Sequence, residues 1–280
     1  MTNFATLSQD SYMPRIIETT TLEDRLTEDQ KQSFDRNGYL HFRGFFSPQA
    51  VQGLVKAMTE LGQRWVDADL KVLNGTPIKY GVDVDGKKIV QRYSFASQHH
   101  PVLEEFLKDP RFNILLELVG GDARLGTHEK DGLVINHYVN TPTSNFTQMG
   151  WHTDSVRDLF LGRKIRPMLN VGIHLDDLDA NNGGLRILPG THTQRIPGVL
   201  FRKLQFKDTR PDPREVAFDI KAGDLTIHDG RSWHRVERSR FTGEASRRRV
   251  MYIPIINGPV QLKTSESPTP FYHRFQHLVK

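Results

Sequence analysis

Four histidines and two aspartates stand at intervals that can hold a metal ion. His152 and Asp154 lie two apart in GWHTDS, and His174 and Asp176 repeat that interval in IHLDD. His228 and His234 follow in TIHDGRSWHR. Alternate side chains of a strand share a face, so an extended His-X-Asp pair can converge on one ion. One further imidazole completes a two-histidine, one-carboxylate triad. Such a triad leaves adjacent positions on ferrous iron open for a bidentate cosubstrate and for dioxygen. A polar turn is the plain alternative for either pair, because the interval also arises by chance.

Context separates the two copies. Asp176 and Asp177 begin an acidic turn that ends in Asn-Asn-Gly-Gly, where left-handed backbone angles are expected. Asp176 therefore reads as a turn residue and His174 as a strand residue. His152 instead follows a long polar loop, NTPTSNFTQMG, and the apolar Trp151, as a ligand pair at the rim of a barrel would. Spacing leaves both His228 and His234 open as the third ligand. Downstream, Arg247, Arg248 and Arg249 enter an apolar strand. A guanidinium entering a buried strand is costly unless an anion meets it, and its planar fork suits a carboxylate. Alternation puts Arg249, Met251, Ile253 and Ile255 on one face and Arg248, Val250, Tyr252 and Pro254 on the other. Arg247 shares the face of Arg249, further out.

The elements that must carry these residues fall into two textures. Residues 1–26 are polar and aperiodic, an extended or loosely packed lead-in expected to be partly flexible. Thr27, followed by Glu28 and Asp29, predicts a helix that stops at Gly38. YLHFRGFF predicts a strand. Ser47 and Pro48 open a second helix whose apolar residues Val51, Leu54, Val55, Met58 and Leu61 mark a core face. Residues 70–98 read as turns with short strands, and 100–121 as two short helices split at Pro110. After Gly121 short apolar runs recur between Gly, Pro, Asn and Asp turns, the pattern of a β sandwich or barrel. One domain over 27–280 is expected, helical to about residue 121 and β-rich beyond.

Composition narrows the function classes. The 280 residues contain no cysteine, which excludes disulfides, zinc ribbons, iron–sulfur clusters and cysteine nucleophiles. The net charge of +5 and the pI near 9.4 come from scattered basic residues, unlike the concentrated tract of a nucleic-acid binder. No secretory signal is evident, and apolar runs such as ILLELVG are too short to span a bilayer. A cytoplasmic protein with a small-molecule substrate, and neither nucleic acid nor membrane as partner, is the expectation. Arg157, Arg163, Lys164 and Arg166 follow the first His-X-Asp pair and are candidates for orienting an anionic or polar substrate.

Four strings in order resemble the phytanoyl-CoA dioxygenase family of iron- and 2-oxoglutarate-dependent oxygenases. LTEDQKQSFDRNGYLHFRGFFSPQAV resembles its N-terminal helix–strand–helix, and GWHTDS its His-X-Asp motif. LDDLDANNGGLRILPGTH resembles its acidic turn and Pro-Gly-Ser/Thr-His strand, and AGDLTIHDGRSWHRV the segment of its second histidine. The likeness spans roughly residues 26–257 and implies a double-stranded β-helix, or jelly roll, with flanking helices. It implies that His152, Asp154 and His234, the later of the two histidines, bind Fe(II). It favours Arg249 for the distal carboxylate of 2-oxoglutarate, with Arg248 as the second choice, and puts Asn136 near a polar cosubstrate contact. At Gly172 some relatives carry tryptophan, so the pocket is expected to be shaped differently. The implied reaction hydroxylates an unactivated C–H with O2 and releases succinate and CO2, ascorbate supporting activity. Desaturation, epoxidation or rearrangement would use the same cofactors, and Asp154 argues against halogenation. A metal-free jelly-roll ligand binder is the alternative of another class.

Overall fold

Thr27 caps the first helix as its neighbours predict. The Thr27 hydroxyl accepts from the Gln30 amide at 3.2 Å, and the Gln30 side chain accepts from the Thr27 amide at 2.9 Å, a reciprocal capping box. The helix, α1, runs Glu28–Asn37 and ends at Gly38 with φ +80°, a left-handed stop that suits glycine. Ser47 caps α2 (Pro48–Asp67), and Val51, Leu54, Met58 and Leu61 are buried along it, with Val55 half-buried. In the computed structural model residues 14–180 and 182–269 are described. Residues 1–13 of the expected lead-in and 270–280 of the expected domain lie outside the described residues. Residues 14–26 run extended and are anchored: Ile17 and Leu26 are buried.

The strands in chain order are β1 (Arg15–Ile16), β2 (Tyr39–Phe42), β3 (Val72–Leu73), β4 (Thr76–Pro77), β5 (Lys79–Val82), β6 (Lys88–Tyr93), β7 (Arg124–Leu125) and β8 (Val134–Asn140). There follow β9 (Met149–His152), β10 (Met168–His174), β11 (Gly184–Ile187), β12 (Val216–Ala217), β13 (Leu225–Asp229), β14 (His234–Glu237) and β15 (Gly243–Ile256). Short helices α3 (Pro101–Glu105) and α4 (Arg111–Leu116) flank Pro110, as the sequence predicts; α5 (Val156–Phe160) and α6 (Ile196–Phe201) lie between strands. A larger sheet is ordered β2-β13-β10-β15-β8-β6-β5, with β7 also on β15; a smaller one is ordered β1-β12-β11-β14-β9. The two sheets, antiparallel except where β1 pairs with β12 in parallel, form the expected jelly roll, its architecture mainly β with flanking helices.

The larger sheet inverts the usual polarity of a sandwich. Its outer residues are apolar: Leu169, Val171, Ile173, Leu225, Ile227, Met251, Ile253 and Ile255 join α2 in one core cluster. Its inner residues are largely polar, among them Asn136, Asn170, His174, Thr226 and His228, all but the half-buried Asn170 fully buried. Helices cover the outside, so the interior of the roll is free to house chemistry rather than packing. Glu215 and Glu237 neutralise Arg235 and Arg186 on the outer side of the smaller sheet, with Arg235–Glu215 and Arg186–Glu237 contacts of 2.6 Å.

Candidate metal centre

Strand β9 ends at His152, and Asp154 lies in the turn that leads into α5. The pair thus converges through a turn, whereas an extended pair was expected. That turn is tied down at both ends: Ser155 donates to the Gly230 carbonyl at 2.9 Å, and Thr153 to the Gln205 side chain at 3.1 Å. His234 begins β14 and is the direct cross-strand partner of His152. A bulge then shifts the register before Val236 meets Met149. The result brings His152, Asp154 and His234 together, with one ligating atom from each lying within 4.8 Å of the others.

The imidazoles are oriented for a metal. His152 Nδ1 is 2.8 Å from the Gly150 carbonyl, and His234 Nδ1 is 3.0 Å from that of Ser232. A carbonyl can only accept, so each Nδ1 carries the proton and each Nε2 keeps its lone pair for the centre. Burial pushes both histidines below their ordinary pKa, His234 further because His152 and His228 adjoin it. Burial would raise the Asp154 carboxyl, but His234, His228 and His152 more than offset that and hold it below the usual carboxylate range. Asn170 Nδ2 donates to Asp154 at 3.1 Å and fixes its plane. Two neutral imidazoles and one carboxylate, all held by outer contacts, fit a divalent transition metal.

His228 faces this cluster from the larger sheet. Its ring centroid is 4.3 Å from that of His234, and its Nε2 is 3.4 Å from Asp154. Neither ring nitrogen of His228 has a hydrogen-bond partner among the described residues. The second His-X-Asp copy is spent elsewhere. His174 bonds Thr226 Oγ1 at 2.9 Å, while Asp176 pairs with Arg249 at 2.5 Å.

The three arginines sort by whether an anion meets them. Arg247 is paired with Asp83 and Glu244, and Arg249 with Asp176. Arg249 lies on the apolar outer face of β15, away from the cluster, in contrast to its expected contact with 2-oxoglutarate. Arg248 lies on the inner face with Val250, Tyr252 and Pro254, and among the described residues no carboxylate pairs with it. It is 5% exposed, and its Nη atoms donate only to the carbonyls of Glu237 and Thr147, at 2.6 and 2.9 Å. Among the described residues its Nε has no partner, nor have the Tyr138 hydroxyl and the Asn136 Oδ1. Burial lowers the Arg248 pKa to about 10. These orphaned groups cluster along one wall, with the Arg248 guanidinium 5.2 Å above the Tyr138 ring.

A cavity of about 160 Å³ opens over the cluster between Asn136, Tyr138, Asn170, His228 and Tyr252. Of the four basic candidates after the motif, only Arg157 lines it; Arg163, Lys164 and Arg166 line an outer basin. Lys79, Arg92 and Asp131 also reach the neighbourhood of the cluster. No local sequence signal marks them, because β5, β6 and the 131 loop meet the cluster only through sheet pairing. At Gly172 a Cβ would come within 2.7 Å of the Tyr252 ring and 2.8 Å of Thr226 Oγ1. Tyr252 thus fills the space beside that glycine.

A jelly roll with two histidines and a carboxylate gathered inside it defines the class of cupin-like non-haem metal proteins. The model of the phytanoyl-CoA dioxygenase (PhyH) family matches residues 34–248, and the chain belongs to that family. An ectoine dioxygenase of Bordetella bronchiseptica is 24% identical over 187 residues, covering 63% of this chain and 53% of that protein. The chain therefore spans about half the length of the curated relatives it matches. Among solved structures, the non-haem α-ketoglutarate-dependent carbocyclase SnoK from nogalamycin biosynthesis superposes with a TM-score of 0.62 at 19% identity, covering 94% of this chain and 93% of that one. HygX from Streptomyces hygroscopicus, solved with nickel and 2-oxoglutarate, gives 0.59 at 16% identity, covering 83% and 87%. At such identities the likeness is one of fold. No helix of the described residues is long and apolar enough to cross a membrane.

Proposed function

We propose that the protein is an Fe(II)- and 2-oxoglutarate-dependent dioxygenase that hydroxylates an unactivated C–H of a small-molecule substrate. The observation that carries this reading is the meeting of His152, Asp154 and His234, with both Nδ1 atoms committed to backbone carbonyls. These three residues would hold the iron. When bound, the iron would couple the oxidation of 2-oxoglutarate to succinate and CO2, which takes one oxygen atom of O2, to insertion of the other into the substrate C–H bond. The chain's own task is to bind, orient and shield. Arg248, rather than Arg249, would pair with the distal carboxylate of 2-oxoglutarate, because it is the buried guanidinium on the inner face that lacks an anion. The Asn136 side chain, buried with its carbonyl oxygen unpartnered, would order the polar end of the cosubstrate through its amide. Asn170 would keep the Asp154 carboxylate in one orientation, and Tyr252 would close the interior wall against water. Purified protein given Fe(II), ascorbate and 2-oxoglutarate should form succinate slowly without substrate. Failure to bind both metal and 2-oxoglutarate would leave the metal-free ligand binder as the better account.

A further inference from the structure

Beside the metal cluster lies a second chamber. Lys79, Arg92 and Arg157 line it together with His152 and Asp154, and Phe146, Met149, Phe160 and Phe206 form its apolar walls. Lys79 and Arg92 are direct cross-strand partners on β5 and β6, and Arg92 is in turn the partner of Asn136 on β8. Like charges placed directly opposite one another destabilise a sheet unless something neutralises them. Asp131 meets Arg92 at 3.0 Å and Arg157 at 3.1 Å, with Lys263 at 3.7 Å, so one carboxylate is shared among three cations. Lys79 has no carboxylate partner among the described residues; its Nζ lies 4.8 Å from the centroid of the Phe146 ring. Burial, then the nearby Arg92, lowers its pKa to about 8. On the far side, Phe206 stacks on His152 with centroids 4.7 Å apart, so an apolar body lying against Phe206 lies against the metal cluster.

We infer that the substrate is an organic carboxylate with an apolar body, its carboxylate held by Lys79 and Arg92 and its carbon skeleton laid along Phe146 and Phe206 toward the metal cluster. This rests on the oxygenase reading for the chemistry that follows binding, but the recognition is testable apart from it. A carboxylate fits better than a more highly charged group because Asp131 already pairs with Arg92, one of the two cations. The two cations and the aromatic walls are set to select both ends of such a molecule at once.

The test uses the full chain, loaded with nickel(II) and 2-oxoglutarate, and pairs of arylalkyl carboxylates with their carboxamides, 3-phenylpropanoate and 4-phenylbutanoate included. Binding is read by calorimetry, with metal and 2-oxoglutarate affinities measured first on the same samples. At least one carboxylate should bind ~10-fold or more tighter than its amide, as for a charge-assisted contact in a partly buried site. Lys79→Met should shrink that ratio to about threefold or less, and Lys79→Arg should restore it. Equal binding in every pair, or a ratio that Lys79→Met leaves unchanged, overturns the inference. Loss of metal or 2-oxoglutarate binding with the carboxylate preference intact would instead remove the oxygenase reading and leave this one standing.

Discussion

His152 and His234 are direct cross-strand partners with ring centroids 4.1 Å apart, and that register pair brings together two of the three proposed metal ligands. Each ring is also pinned from behind by a carbonyl two residues earlier in the chain. Removing either ring should therefore remove the ion without unmaking the strand. His152→Ala and His234→Ala are expected to lower metal affinity by at least ~100-fold and to abolish activity. Far-UV circular dichroism should be unchanged. Metal content by elemental analysis checks this, and undiminished retention in either variant contradicts the assignment.

The neighbouring arginines of β15 should behave oppositely. Arg249 is bound to Asp176 through both carboxylate oxygens, on the outer face. Arg249→Ala should cost ~1–2 kcal/mol of stability and leave 2-oxoglutarate affinity near its original value. Arg248→Leu removes a buried cation that has no carboxylate of its own, so stability should hold or rise. Its 2-oxoglutarate affinity should fall ~10-fold or more. Denaturant titration and 2-oxoglutarate calorimetry on both variants separate the two roles, and a reversed pattern would return the cosubstrate to Arg249.

Gly172 is set by contact rather than by backbone angle. A methyl group there would meet the Tyr252 ring and the Thr226 hydroxyl well inside contact distance. Gly172→Ala should cost ~1–3 kcal/mol through overpacking. In the Tyr252→Ala background the same change should cost less, because the ring it strikes is gone. A cost that is the same in both backgrounds would show that Tyr252 is not the obstacle.

Two buried imidazoles outside the metal cluster make stability depend on pH. Burial, then Arg247 and Arg249, lowers His137 to about 3; burial, then His41, lowers His174 to about 3. As pH falls below about 6.5, the ordinary histidine value, the unfolded chain takes up protons that the folded chain refuses. Stability is therefore highest above that pH and declines as pH drops toward about 3. Each group contributes up to ~1.4 kcal/mol per pH unit inside that window. Denaturant midpoints of the metal-free protein at pH 7, 6 and 5 should fall progressively, the buried His152 and His234 adding to the fall when no metal holds them, and less steeply in His174→Gln, where the difference in slope is the share of that ring. A flat profile across that range would show that these rings are not held neutral.

Local features were legible because their causes are local. Thr27, Gly38, Ser47 and Pro48 announce helix ends through contacts within one turn, and the helices begin and stop there. The face assignment of β15 was also legible, since alternation needs only the pleat. Which face looks inward was not. Both faces of β15 carry apolar residues, and only the helical layer against Met251, Ile253 and Ile255 turns Arg249 outward. Lys79 shows the same limit more strongly, because nothing near it in the chain hints at a site. It reaches the metal cluster through pairing of β5 with β6 and of β6 with β8.

The chain by itself determined the kind of protein: the ligand types, their order, the absence of cysteine and the alternation of a jelly roll are all written in short stretches. The tertiary structure alone decided which arginine faces the interior, that Asp154 arrives by a turn, that His228 stands across from the triad, and that Lys79 and Arg92 flank it. The physical reason is that residue type and period are properties of neighbours in the chain. The direction a side chain faces is settled instead by which distant surface excludes water from the other side.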